Sequence, residues 1–140
     1  HADAHVQTSE TGAPEFMTGG AKLIPVPGAG GKITPEALAE ALAANGRDSV
    51  HAGRNAALTL TNATEWGTVY SPEEVEALAA IARHAGLGLH MDGARFANAL
   101  ASLDVAPADL TWRAGVDILS LGGTKNGCMG VETVLIFDPA

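Results

Sequence analysis

The sequence predicts an α/β fold: a three-layer, mainly parallel sheet flanked by helices. Three observations carry that expectation. Short apolar or weakly alternating runs, "AALTLTNAT", "GLGLHMD", "VDILSL" and "ETVLIFD", recur along the chain. Segments with helix start and stop signals lie among them. Strands this apolar suit a sheet covered on both faces, which is the habit of parallel sheets whose crossovers are helices.

Taken in order, "TGAPEFMTGG" is small and glycine-rich around a short apolar group, giving a loop or a brief helix. "AKLIPVPGAGGK" reads as a short strand ending in a turn, kept near a sheet edge by Pro25 and Pro27, which lack the N–H that a central ladder needs. In "TPEALAEALAANG", Thr34 can cap and Pro35 fits the first helical position. Ile33 and Leu38 can staple the start, and Asn45-Gly46 supplies a stop. "AALTLTNAT" is then a buried strand. "SPEEVEALAAIARHAG" is a second helix, opened by a capping box of Ser71 and Glu74 and closed at Gly86. "GLGLHMD" follows as a strand, "GARFANALASL" as a short helix or helical turn, and "PADLTWRAG" as another helix. "VDILSL" and "ETVLIFD" are the last two strands, separated by a glycine-rich loop.

The chain of 140 residues suits one hydrophobic core, a single domain or part of one. Sixteen acids against eight bases give a formal charge of −8, which argues against a nucleic-acid binder, because phosphate neutralisation needs basic clusters. One cysteine excludes an internal disulfide and a cysteine-based zinc cage. No apolar run approaches the roughly 18 residues that span a bilayer, and "HADAHVQTSE" lacks a basic region followed by an apolar one. The expectation is a cytoplasmic protein with no membrane partner. The chain starts on His1 and stops just after an apolar run, so it is expected to be a fragment of something longer.

Ligands of open α/β sheets gather beyond the carboxyl ends of the strands. Two such ends stand out. In "LHMDGAR", Asp92 closes a strand and Arg95 follows three residues on; in "LSLGGTKNG", Lys125 follows the next strand. Each admits a plain reading, Asp92 as a helix N-cap with Arg95 as a solvated neighbour, and Lys125 as a loop lysine facing water. Their placement at successive strand ends favours a joint role. An amine and a carboxylate so arranged suit pyridoxal 5'-phosphate, whose aldehyde condenses with a lysine and whose ring nitrogen stays protonated beside a carboxylate. Glycines around Lys125 would let the backbone approach that cofactor. Cys128 reads better as a small buried filler than as a nucleophile. "GAGG" at 28–31 is a turn rather than a dinucleotide fingerprint. His84 and His90 do not make a metal pair, and no metal is expected. Glu65 and Trp66 follow a strand end, as pocket lining or as a structural turn.

The blocks "LHMDGARFANA", "DILSLGGTKNG" and "TNATEWGTVYSPEE", with "AHVQTSETGAPEF" upstream, resemble in order those of the low-specificity L-threonine aldolase and phenylserine aldolase family, pyridoxal-phosphate enzymes of fold type I. The resemblance runs through nearly all of the chain. It implies cleavage of β-hydroxy-α-amino acids into glycine and an aldehyde by a homodimer or homotetramer, with residues 1–140 forming part of the cofactor-binding large domain. It implies Lys125 as the Schiff-base lysine, Asp92 as partner of the ring nitrogen, and Arg95 beside the substrate carboxylate and cofactor. His5 corresponds to the histidine that stacks on the cofactor, and His51 to a second active-site histidine acting on the β-hydroxyl. Thr124 is placed to touch the phosphate. The family's main phosphate-binding loop and a further carboxylate-binding arginine fall outside these residues. Another pyridoxal-phosphate lyase, eliminating or dehydrating at the β-carbon, and a non-catalytic α/β fragment remain as alternatives.

Overall fold

The structure is a computed structural model that describes residues 1–45, 50–51 and 53–137. Four strands form one sheet in chain order: β1 (Ala57–Thr61), β2 (Gly88–Gly93), β3 (Ile118–Gly122) and β4 (Glu132–Ile136). β1 with β2 and β2 with β3 are parallel, whereas β3 and β4 are antiparallel. The last pairing follows from loop length. Residues 123–131 are too few for the crossover of roughly a dozen residues that a parallel return requires.

Five helices accompany the sheet among the described residues: α1 (His5–Thr8), α2 (Ala13–Met17), α3 (Pro35–Asn45), α4 (Pro72–His84) and α5 (Phe96–Leu103). α4 forms where the sequence places it. The Ser71 hydroxyl accepts from the Glu74 N–H at 3.3 Å while the Glu74 carboxylate accepts from the Ser71 N–H at 2.8 Å, so two otherwise orphaned donors are satisfied. At the other end Gly86 takes φ +72°, a left-handed conformation cheap only without a Cβ, and Leu87 N–H closes onto Ala82 O. Thr34 caps α3 through the Ala37 N–H at 3.2 Å. The Gly46 stop lies outside the described residues.

Register decides which side chains meet. Leu60, Met91, Leu119 and Leu135 stand opposite one another across all four strands, and Leu58 and Leu89 form the row beside them. Val75, Leu78, Ala79 and Ala82 of α4 and Phe96 and Ala99 of α5 are buried in the same core, with α4 and α5 both against β2 and α3 against α4. Burying each large side chain of this set stabilises the fold by about 1.5–3 kcal/mol before chain entropy is subtracted. The alternate residues, Thr59, Thr61, His90, Asp92 and Ser120, point to the other face.

Two segments depart from the expectation. "AKLIPVPGAGGK" makes no ladder: residues 21–28 are irregular and Ala29–Gly31 form a single 3₁₀ turn. Its two prolines remove donors, and it is held by side chains. The Ile33 N–H donates to Tyr70 Oη at 2.6 Å, and Lys32 Nζ reaches Val69 O and the Glu74 carboxylate. "PADLTWRAG" is a series of turns with a 3₁₀ turn over Trp112–Ala114, not an α-helix. Thr111 leaves helical geometry at φ −123° and ψ −110°, and Gly115 ends the turn at φ +94°.

Candidate active site

A cavity of about 360 Å³ opens over the polar face of the sheet. β2 contributes His90 and Asp92 to its lining, β3 contributes Ser120, and α1 contributes His5. Arg95 enters from the turn before α5, and Thr124 and Lys125 from a 3₁₀ turn that leaves β3. Thus five of the six residues singled out in the sequence border one space. The sixth, His51, is exposed and is not part of the lining. It precedes β1 in the chain.

Asp92 reaches the site because β2 alternates: Met91 is fully buried in the core, so the next residue must face the other way. Its Oδ1 accepts from the Ala94 N–H at 3.0 Å, fixing the turn into α5, although the N-cap position of that helix is Arg95. Arg95 is not the solvated neighbour of the plain reading. Its side chain is 28% exposed and its Nη1 lies 3.6 Å from Glu65 Oε1. Lys125, by contrast, is exposed, as the plain reading of a loop lysine has it, although it borders the cavity. The glycines before it serve packing rather than freedom. A Cβ on Gly123 would stand 2.4 Å from a Val131 side-chain carbon, so a larger residue there would have to push the returning limb's side chain aside.

His5 is helical rather than frayed, and its Nδ1 lies 2.5 Å from Glu10 Oε1. With Glu10 ionised, Nδ1 donates and Nε2 is left as the basic nitrogen. The His5 backbone N–H donates to Glu65 Oε1 at 3.1 Å. Glu65 sits in the turn that leaves β1. That turn is fixed by buried Asn62, whose side chain bonds the backbone of Tyr70 in both directions, and by the Thr64 and Thr68 hydroxyls at 2.7 Å from each other.

Glu10, Glu132 and His90 line the site although the sequence reading gave them no role there, whereas Glu65, read as pocket lining or a structural turn, stands behind the lining. Glu10 lies in the same quoted block as His5 but was given no role, and Glu132 carries no motif of its own and is brought to the cavity by the fold. Glu65 is a structural turn residue that also contacts the site's residues. His90, weighed only as half of a metal pair with the exposed His84, lines the cavity between β1 and β3. Its Nδ1 is 2.8 Å from Thr59 Oγ1 and its Nε2 2.9 Å from Ser120 Oγ. Burial holds this imidazole below its ordinary range, partly countered by the charge of Asp92. The period-two spacing His90–Asp92 was the available signal, since both residues must share a face. Cys128, expected to be buried, is exposed, because its loop stands away from the core. Trp66 is exposed too, its Nε1 donating to Asp3. No cluster of three or more metal-ligating side chains occurs among the described residues.

The chain is similar to known proteins over almost its full length. Low specificity L-threonine aldolases of Pseudomonas sp. (strain NCIMB 10558) and Pseudomonas aeruginosa are each 49% identical over 135 residues, which are 96% of this chain and 38% of theirs. The solved structure of Leishmania major threonine aldolase superposes with a TM-score of 0.85 at 34% identity, covering 96% of this chain and 38% of that one. The chain therefore spans under two fifths of the length of the proteins it matches. The family model described as beta-eliminating lyase matches residues 1–140, and with the sheet, its helices and this similarity in agreement, the chain belongs to the beta-eliminating lyase family.

Proposed function

We propose that residues 1–140 are part of the large domain of a pyridoxal-phosphate lyase that cleaves β-hydroxy-α-amino acids such as threonine, allo-threonine and phenylserine into glycine and an aldehyde. The observation that carries this reading is the meeting of Lys125, Asp92, Arg95 and His5 around one cavity. The donor set fits the cofactor: an amine for its aldehyde, a carboxylate for its ring nitrogen, an imidazole for its face and a hydroxyl, Thr124, for its phosphate. A cavity of about 360 Å³ is within the range of small-molecule sites. When bound, pyridoxal phosphate supplies an electron sink for the bond that breaks at the substrate α-carbon. Similarity to proteins named threonine aldolases supports the choice of reaction.

The residues then divide the work. Lys125 would hold the cofactor through its side-chain amine. Arg95 would grip the substrate carboxylate with its planar fork and so orient the substrate's α-carbon bonds. Asp92 keeps a positive charge on the ring nitrogen. His5, its Nδ1 held by Glu10, offers Nε2 to take the β-hydroxyl proton, directly or through a water. His51 is the other candidate base. His90 is less suited to that task, because both of its ring nitrogens are engaged by hydroxyls.

The full protein is proposed to be cytoplasmic and to work as a homodimer or homotetramer. The family's name favours one second reading, elimination at the β-carbon. Incubating the full-length protein with pyridoxal phosphate and threonine or phenylserine separates them. Glycine and an aldehyde are expected; a keto acid and ammonia would favour elimination. Lys125→Ala is expected to abolish the visible absorbance band of covalently held cofactor, and a retained band would remove Lys125 from its role.

A further inference from the structure

The carboxylate of Glu65 meets two parts of the site at one oxygen. Oε1 accepts from the His5 N–H at 3.1 Å and stands 3.6 Å from Arg95 Nη1. Its side chain is 20% exposed, so neither contact is a fully solvated one. Among the described residues Glu65 is the one carboxylate within ion-pair distance of Arg95, although Asp92 lies only three residues before it and lines the same cavity. The turn that carries Glu65 is also tied to the chain around Arg95: Asn62 N–H donates to Asp92 O at 3.0 Å and Ala63 N–H to Arg95 O at 3.5 Å. Glu65 is thus held in register with both residues by the backbone.

We propose that Glu65 is a positioning residue that keeps Arg95 away from Asp92 and anchors the His5 helix, so that the cationic and anionic sides of the site stay separate. The proposal rests on the roles given above to Arg95 and Asp92. A guanidinium released from Glu65 has Asp92, on the same cavity, as an alternative partner, and pairing there would occupy the carboxylate meant for the ring nitrogen and the cation meant for the substrate. Substrate binding would then have to separate that pair first. The cost would fall on binding and not on the step that follows, because the separation is complete once the substrate is seated.

The test uses the full-length protein with Glu65→Gln and Glu65→Ala. Glutamine keeps a carbonyl oxygen for the His5 N–H and loses the charge that holds Arg95; alanine loses both. In a crystal structure of cofactor-free Glu65→Gln, Arg95 should have moved within 4 Å of Asp92, the ion-pair distance, with His5 in place. In the holoenzyme, Glu65→Gln should raise KM for threonine about tenfold with kcat within about threefold, whereas Glu65→Ala should lower kcat as well. Arg95 unmoved in that crystal structure, or KM unchanged in Glu65→Gln, overturns the proposal. Wild-type protein that takes up no pyridoxal phosphate overturns the functional reading instead; the cofactor-free crystals still decide where Arg95 goes.

Discussion

The two faces of one sheet differ more than any two separate parts of the molecule. On one, Leu60, Met91 and Leu119 align with near-zero exposure under α4 and α5. On the other, Thr59, His90, Asp92 and Ser120 share hydroxyls, an imidazole and a carboxylate around a cavity. The residues alternate along the same strands, so backbone geometry is common to both faces. What differs is solvent and partner: the first face is closed by apolar side chains, while the second satisfies its polar atoms through one another. Stability is thereby concentrated on one side of a layer one residue thick, and chemistry on the other.

Neighbouring substitutions should separate the two. Asp92→Asn is expected to leave the fold intact and to reduce turnover of β-hydroxy amino acids by up to roughly 10⁴-fold, the scale found when a buried orienting carboxylate is neutralised. Steady-state kinetics on refolding-competent, cofactor-loaded variant decides it, and unchanged turnover would contradict the ring-nitrogen role. One residue earlier, Met91→Ala should do the reverse, destabilising by about 2–5 kcal/mol through the cavity it leaves. Chemical denaturation measures that loss, and a loss under 1 kcal/mol would mean the core collapses around the gap.

pH should attack the two faces from opposite ends. Burial raises the Tyr70 phenol to about 12, so the folded state keeps a proton that the unfolded chain releases near 10. Stability is then full below pH 10 and falls between about 10 and 12, by up to about 2–3 kcal/mol. Tyr70→Phe should lack this alkaline slope. His90, held below the ordinary histidine range, has the opposite sign: its contribution is present above the unfolded value near 6.5 and is lost as pH falls through the lower folded value. His90→Gln should flatten that acidic limb. Denaturation curves across pH for both variants would show whether the faces fail independently.

The legible part of the fold was the part written in local grammar. The capping box at Ser71 and Glu74, the glycine stop at Gly86 and the four apolar runs each became the element expected. The segment 21–32 failed because prolines mark an edge strand and an irregular tether alike, and Tyr70, far along the chain, settled which. The segment at 107–115 failed because helix-forming composition did not reveal the backbone break at Thr111.

Asp92 and Lys125 were legible because strand ends are marked in sequence and because amine plus carboxylate defines a chemistry. His51 was carried by resemblance alone, and it is not among the described residues that line the cavity.

By itself the sequence determined the alternation of β2, and with it that Met91 and Asp92 must part company across the sheet. It also determined the opening caps of α3 and α4, the glycine stop of α4 and the acidic balance. Tertiary structure decided the rest: that one oxygen of Glu65 serves both His5 and Arg95, and that His90 lies between Thr59 and Ser120. Periodicity is a property of neighbours along a chain. Contacts between residues 5 and 65, or 65 and 95, depend on which strands pair and in what register, and no local pattern encodes that.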